Sequence, residues 1–427
     1  MAVNGCLWEK ILMNEKKMVL CLLTYNRAET VRTFIEKEID VLREADIDLI
    51  VYDSSELDET KNIVETYNFQ GYGNLYYKKT DSRISANVKF FNIAANINST
   101  YEYVWLSHDH TVFESGAVKY LLECLNGKPD FIYLRKQCLD YKCVIENDRN
   151  EFAMKAAWQL GRFGAAIIRN DTFLKKIDWE KMSLKYLTDK RLNFSQIGLY
   201  LEQLSLMDNP HIMTVEFPRE TFYDLFRFEK ASWDNETIRI CLESWGEVIS
   251  ALPDSYTDKV SLLQTIDKYF LSKNKIVELK RTKQYDLKSY FKYKKWIRLI
   301  VPEMKKDFLM AAVLPCGFLQ WINSRKTIYK IKNACRQGQK ICIYGAGKHG
   351  MEYAQYLLDC KIKVDGILVT STKGNPVEIS SIPVYPASEY LSAHPAFVII
   401  AVAKEYQEEI VKYLNNFYNS EYECIAC

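Results

Sequence analysis

The feature that most constrains this chain is the alternation of short apolar runs with helical stretches between Lys17 and Phe113. KMVLCLLT, ending on Thr24, is apolar almost throughout. A polar turn, YNR, leads from it into TVRTFIEKEIDVLREA, whose apolar positions recur at helical spacing. IDLIVYDSS is a second apolar run that reaches Asp53, and LDETKNIVETYN is helical again. NLYYKK, NVKFFNIAANI and YEYVWLS continue the pattern. Such alternation predicts an α/β fold built on a parallel sheet. Ligands of these sheets bind beyond the carboxyl ends of the strands. The polar tips Thr24 to Arg27, Asp53 to Ser55, Asp81 to Arg83 and His108 to His110 are therefore expected to face one crevice.

Beyond Phe113 the alternation weakens. GKPDFIYLRKQ reads as a strand, GRFGAAIIRNDTFLKKI as strand then helix, and LNFSQIGLYLEQLSLM as an amphipathic helix. Gly161 and Gly164 would let the backbone approach a ligand or simply make a turn. Residues 231–335 are mostly helical in pattern and dense in Lys and Tyr. A second alternation then begins, with QKICIYGAGKHGMEYAQYLLD reading as strand, glycine turn and helix. Gly345, Gly347 and Gly350 form a GxGxxG in the context a phosphate-binding turn requires. Asp365 stands at about the spacing of a ribose-binding acid, yet it precedes the strand GILVT. Three parts are expected: an α/β domain over 18–230, a helical segment over 231–335, and a Rossmann-like α/β domain over 336–427.

Composition narrows the function classes. Of the 427 residues, 48% are hydrophobic and 26% charged, as in globular proteins, and a net charge of +2 gives no reason to expect nucleic acid. The N-terminal stretch lacks the pattern of a secretory signal. No apolar run reaches the roughly 18 to 20 residues of a spanning helix, so the expected location is the cytoplasm. Twelve cysteines without paired zinc spacing read as reduced, mostly buried thiols.

LLTYNR, VYDSSELDET, DSRISANVKFFNIAANI and YVWLSHDHT, in this order and spacing, resemble the family 2 glycosyltransferases of GT-A (nucleotide-diphospho-sugar transferase) fold. The resemblance covers residues 18 to about 215. It implies an inverting hexosyltransferase that moves a sugar from a nucleotide-sugar, a UDP-sugar by expectation, to a saccharide or lipid-linked saccharide in bacterial polysaccharide synthesis. It assigns Thr24, Tyr25 and Arg27 to the nucleotide, Asp53 to base or ribose, and Arg83 to base or phosphate. Asp109 falls on the first acid of the family's metal motif, while His110 and Thr111 stand where further aspartates are common. The resemblance thus implies a divalent cation, Mn²⁺ or Mg²⁺, held by Asp109 with His110. Alternatively His108 or His110, with Arg83, would assist the leaving diphosphate. A general base is also required, and Asp189 and Glu202 are its candidates. The carboxy-terminal module resembles the small Rossmann-like domains of sugar-modifying proteins, where Gly345, Gly347 and Gly350 would meet a nucleotide or the module would serve assembly, including homo-oligomers.

Two other readings stay open: an NAD(P)-linked oxidoreductase centred on the last module, and a non-catalytic scaffold that binds a sugar-nucleotide. The Lys/Tyr-rich helices, with Trp296 and Trp321, fit either peripheral contact with an anionic membrane or a helical linker with solvated lysines.

Overall fold

The computed structural model describes residues 16–97, 100–138, 140–218, 221–224, 234–315, 319, 328–372, 375–415 and 420–424. The chain divides into two compact units, residues 1–267 with 292–303, and residues 268–291 with 304–427.

The first unit opens with β1 (Lys16–Thr24), α1 (Ala28–Glu44), β2 (Ile47–Asp53), α2 (Glu59–Phe69), β3 (Leu75–Lys79), α3 (Ala86–Ala95) and β4 (Tyr101–His108). A short β5 (Thr111–Phe113) and α4 (Ser115–Leu125) lead to β6 (Phe131–Cys138), β7 (Lys142–Glu146), α5 (Arg149–Ala156) and β8 (Ala166–Arg169). Then come α6 (Trp179–Tyr186), α7 (Ser195–Leu206), β9 (Ile212–Pro218) and β10 (Phe222–Asp224). Eight strands form one sheet in the order β3-β2-β1-β4-β8-β6-β9-β7, and β5 pairs with β10. The strands from β3 to β4 are mutually parallel, as the alternation predicts. The far half is mixed, because the chain passes from β4 to β6 over one vacant position and returns antiparallel, as β8, to fill it. Strand order reverses at β1, with β2 on one side and β4 on the other, which is the switch point where such sheets open a crevice.

Every residue of β2 is buried, as expected of a strand covered on both faces. From β1, Met18, Leu20 and Leu22 pack on Val31, Phe34, Ile35, Ile39 and Leu42, the apolar stripe of α1, with Trp105 of β4 alongside. Each such side chain contributes about 1.5–3 kcal/mol on burial. The helix α7 departs from its expected amphipathic character, since Ser195 to Leu204 are buried on all sides, Gln196, Glu202 and Gln203 included. Neighbouring helices α3, α5 and α6 and the later α8 (Trp245–Ala251) surround it.

In the second unit, Tyr285 donates to the Phe308 carbonyl at 3.1 Å and Lys280 to the Ala312 carbonyl at 3.1 Å. These bonds join the helix Lys273–Arg281 and the turn that follows it to the helix Lys305–Val313. The strands Lys340–Tyr344, Gly366–Val369, Glu378–Ile379, Ile382–Pro386, Ala396–Ile400 and Ser420–Cys424 form a six-stranded sheet. It is parallel apart from the two-residue strand at its edge. Ile341 and Ile343 belong to one core, Cys342 and Tyr344 to the other, so both faces are covered.

Trp296 is not the interfacial anchor that a membrane contact would use. Its ring packs where a Gly246 side chain would otherwise lie, and it is 5% exposed. Trp321 lies outside the described residues. Among the described residues no helix is long and apolar enough to cross a membrane. The described cysteines are less uniformly buried than expected, with Cys143, Cys335 and Cys360 exposed.

A methyl group on Gly198 of α7 would overlap the buried Tyr186 ring of α6. Gly198→Ala is therefore expected to destabilise the chain by about 1–3 kcal/mol in denaturant unfolding. An unchanged midpoint would show that the ring moves aside freely.

Candidate functional site

Register alone brings the strand tips together. Thr24 stands opposite Asp53 of β2, and Leu23 opposite His108 of β4. The turn after β1 places Asn26 at φ 51°, a left-handed conformation that asparagine tolerates. There the Asn26 amide donates to Ser55 Oγ at 2.8 Å, and Ser54 donates from its amide at 3.2 Å and its hydroxyl at 3.1 Å to the Thr24 carbonyl.

Asp109 is the centre of the cluster and is wholly buried. Its Oδ2 accepts from the Thr24 hydroxyl at 2.7 Å and its Oδ1 from Arg27 Nη1 at 3.2 Å, with His110 Nδ1 at 3.4 Å from Oδ1. Burial alone would raise its pKa, but hydrogen bonds from His110 and Thr24 and the Arg27 charge outweigh that and hold it below the usual carboxylate value. The His108 and His110 rings stack face to face, 3.7 Å apart and 2° from parallel, and Thr111 Oγ1 is 3.2 Å from His108 Nδ1. From β6, Lys136 donates to the same hydroxyl at 3.3 Å.

The expected cation pair, Asp109 with His110, does not fit a divalent ion as placed. Hard cations need several oxygen ligands, whereas both Asp109 oxygens accept from protein donors, one of them a guanidinium. Among the described residues no group of three His, Cys, Asp or Glu side chains could hold a metal.

Asp53 reaches the same edge, also wholly buried. Its oxygens accept from the Ser55 amide at 2.7 Å, the Ser55 hydroxyl at 2.5 Å and the Tyr77 hydroxyl at 3.1 Å, so it braces the β2 turn from within. Arg83 is exposed and folded onto Asp81, with Nη2 2.7 Å from Oδ2. Tyr25 and Arg27 are the more open groups here, at 49% for the whole residue and 40% for the side chain.

Gly164 touches the tip of β4. It lies at φ 82°, and a side chain there would come within 2.5 Å of Ser107 Oγ. Gly161 is joined through its carbonyl to Gln196 Nε2 at 2.7 Å, and Gln196 Oε1 accepts from Asn87 Nδ2 at 2.8 Å. This amide chain fixes the start of α3 against α7. Of the two candidate bases, Glu202 is braced against α6 by Lys185 and by the Tyr186 hydroxyl at 2.5 Å, and it is 3% exposed. A carboxylate held this way locks two helices together and is not placed to receive a proton from an incoming hydroxyl. Asp189 is exposed, in the turn before α7.

Sequence reasoning missed two residues. Lys89, on α3, is only 9% exposed, and its Nζ lies 5.7 Å from the Tyr25 ring centroid. Its signal is a lysine one helical turn from an N-cap, Ser85, at the crevice edge. Glu38, on α1, accepts from the Phe113 amide of β5 at 3.1 Å, while its Oε2 is buried without a hydrogen-bond partner. A lone acid on an apolar helix stripe carried the hint.

In the second unit Gly345 sits at φ 120°, where a side chain would come within 2.8 Å of the Ala401 carbonyl, and one on Gly350 would overlap the Gly345 carbonyl. Gly347 faces open space at the start of the helix Lys348–Asp359. Asp365 is not at the strand tip; it accepts from the Ile341 amide at 3.1 Å and pairs with Lys363 at 3.2 Å. It closes the opposite end of the sheet and cannot serve as a ribose acid there.

Burial pushes the Glu38 carboxyl up to about 8, against the Phe113 hydrogen bond and the nearby Lys37 charge. The folded chain thus keeps a proton that the unfolded chain loses near its ordinary value of 4.5, so this group makes stability fall as pH rises between those values. Glu38→Gln should flatten that fall in thermal midpoints measured across the window. An unaltered pH slope would refute the assignment.

No family model matches the chain, and no curated protein matches it. Among solved structures it is similar to the mannosyltransferase PcManGT from Pyrobaculum calidifontis, in complex with GDP-Man and Mn²⁺. There identity is 13%, with 70% of this chain and 86% of that one covered and a TM-score of 0.40. It is also similar to S. aureus TarS 1-349 in complex with UDP-GlcNAc, at 13% identity over 76% of this chain and 93% of that one, TM-score 0.45. A third is glucosyl-3-phosphoglycerate synthase from Mycobacterium tuberculosis, at 13% identity over 56% and 82%, TM-score 0.37.

Proposed function

We propose that the first unit is a glycosyltransferase that takes a nucleotide-sugar, a UDP-sugar by preference, and passes its hexose with inversion to a saccharide or lipid-linked saccharide. The observation that carries this reading is the meeting of Thr24, Arg27, Asp53 and Asp109 at the switch point of the sheet, beside the open Tyr25 ring. A diphosphate leaving group gains charge as the glycosidic bond breaks, and cationic donors fixed in a crevice stabilise that charge. In this reading Tyr25 meets the flat base, Arg27 and the histidine pair line the diphosphate side, and Asp53 acts through Ser55 and Tyr77. Asp189 is the proposed base, since its carboxylate lies at the surface whereas that of Glu202 is committed to α6. Residues 336–427 form the proposed accessory domain, in which the open approach to Gly347 supports ligand binding. The protein is proposed to work in the cytoplasm or at the inner membrane face.

A second reading is a sugar-nucleotide-binding scaffold without turnover, favoured by the closed state of the Asp109 carboxylate.

The test is release of nucleoside diphosphate from a panel of nucleotide-sugars, with saccharide acceptors offered. Turnover of one donor is expected, with Asp109→Ala reducing kcat/KM by tenfold or more, on the order of 1.5–3 kcal/mol for a charge-assisted contact. Gly347→Asp should leave this turnover intact. A donor that binds and is never consumed would establish the scaffold instead.

A further inference from the structure

The strand tips hold three acids, and each is already occupied. Asp53 accepts from Ser55 and Tyr77, Asp81 from Arg83, and Asp109 from Thr24 and Arg27. Lys89 is the contrast. Its stem is buried, the whole residue being 9% exposed, while its ammonium stays open to solvent and, among the described residues, meets the face of the Tyr25 ring without a hydrogen-bond acceptor or ion-pair partner. A lysine whose stem is packed in place and whose charged tip has no protein acceptor is positioned to pair with an arriving anion. The first turn of α3, where Lys89 sits, also presents the positive end of the helix.

We infer that Lys89, together with Arg27, receives the diphosphate of the donor directly, so that donor binding in this crevice does not depend on a divalent cation. The inference rests on the nucleotide-sugar reading above and adds to it how the charge is neutralised. Two fixed cations take the place that a metal bridged by free carboxylates would have. Burial lowers the Lys89 pKa while Asp81 and Asp53 raise it through space, a balance that an arriving phosphate would tip towards the charged form. Lys89 is a binding residue for the leaving group and performs no proton transfer.

The test is calorimetric titration of the full chain with UDP, GDP, ADP and CDP, each in EDTA and in Mn²⁺. One diphosphate is expected to bind with affinities that agree to within about threefold in the two media, and Lys89→Met is expected to weaken it about tenfold or more. Lys89→Arg should recover most of the loss. Inorganic pyrophosphate should compete in EDTA against the parent protein, a readout that holds if Lys89→Met fails to fold. Binding that needs Mn²⁺, or Lys89→Met binding as the parent does, overturns the inference and leaves the nucleotide-sugar reading standing. If no diphosphate binds in either medium, that reading falls and the inference with it.

Discussion

The hydrogen bond from Thr24 to Asp109 spans the gap between the first and fourth strands, and the arrangement of the crevice depends on it. It is a buried bond to a charged acceptor, worth about 1.5–3 kcal/mol, and a carboxylate left there without donors would cost more. Arg27 completes the neutralisation from the turn after the first strand. Because that turn is also laced to Ser54 and Ser55, the position of Asp109 sets the position of three strand ends at once.

An electrostatic consequence follows. Asp53 and Asp109 are turned inward onto protein donors and Asp81 is paired with Arg83 at the surface, and what remains toward the crevice is cationic and aromatic. A surface of this kind suits an anionic ligand with a flat group, which is what a nucleotide diphosphate offers. It suits an open carboxylate cage for a metal much less, since both Asp109 oxygens accept from protein donors. The chemistry of the site therefore turns on which donors saturate Asp109, more than on the presence of Asp109 itself.

The second unit illustrates how a glycine pattern can be half structural. Gly345 and Gly350 are required by backbone contacts inside the turn, where a side chain cannot fit. A side chain on Gly347 would meet only open space, so of the three it is the glycine that the packing of the turn does not require. Asp365, at the right spacing in the sequence, is withdrawn to the start of its strand, because the amide of Ile341 and two lysines hold it there.

The sequence by itself determined the α/β class and the set of polar tips, because strand and helix periods are local and the tip residues follow directly on apolar runs. Only the tertiary structure decided the antiparallel return of Ala166–Arg169, which depends on a vacant place in the sheet. It alone decided that Glu202 braces a helix, that Asp109 is closed by Arg27, and that Lys89 meets no acceptor among the described residues. These are properties of pairs distant in the chain, Arg27 and Asp109 being 82 residues apart. No local pattern encodes which of several available donors a buried carboxylate will meet, since packing chooses among them by geometry and desolvation.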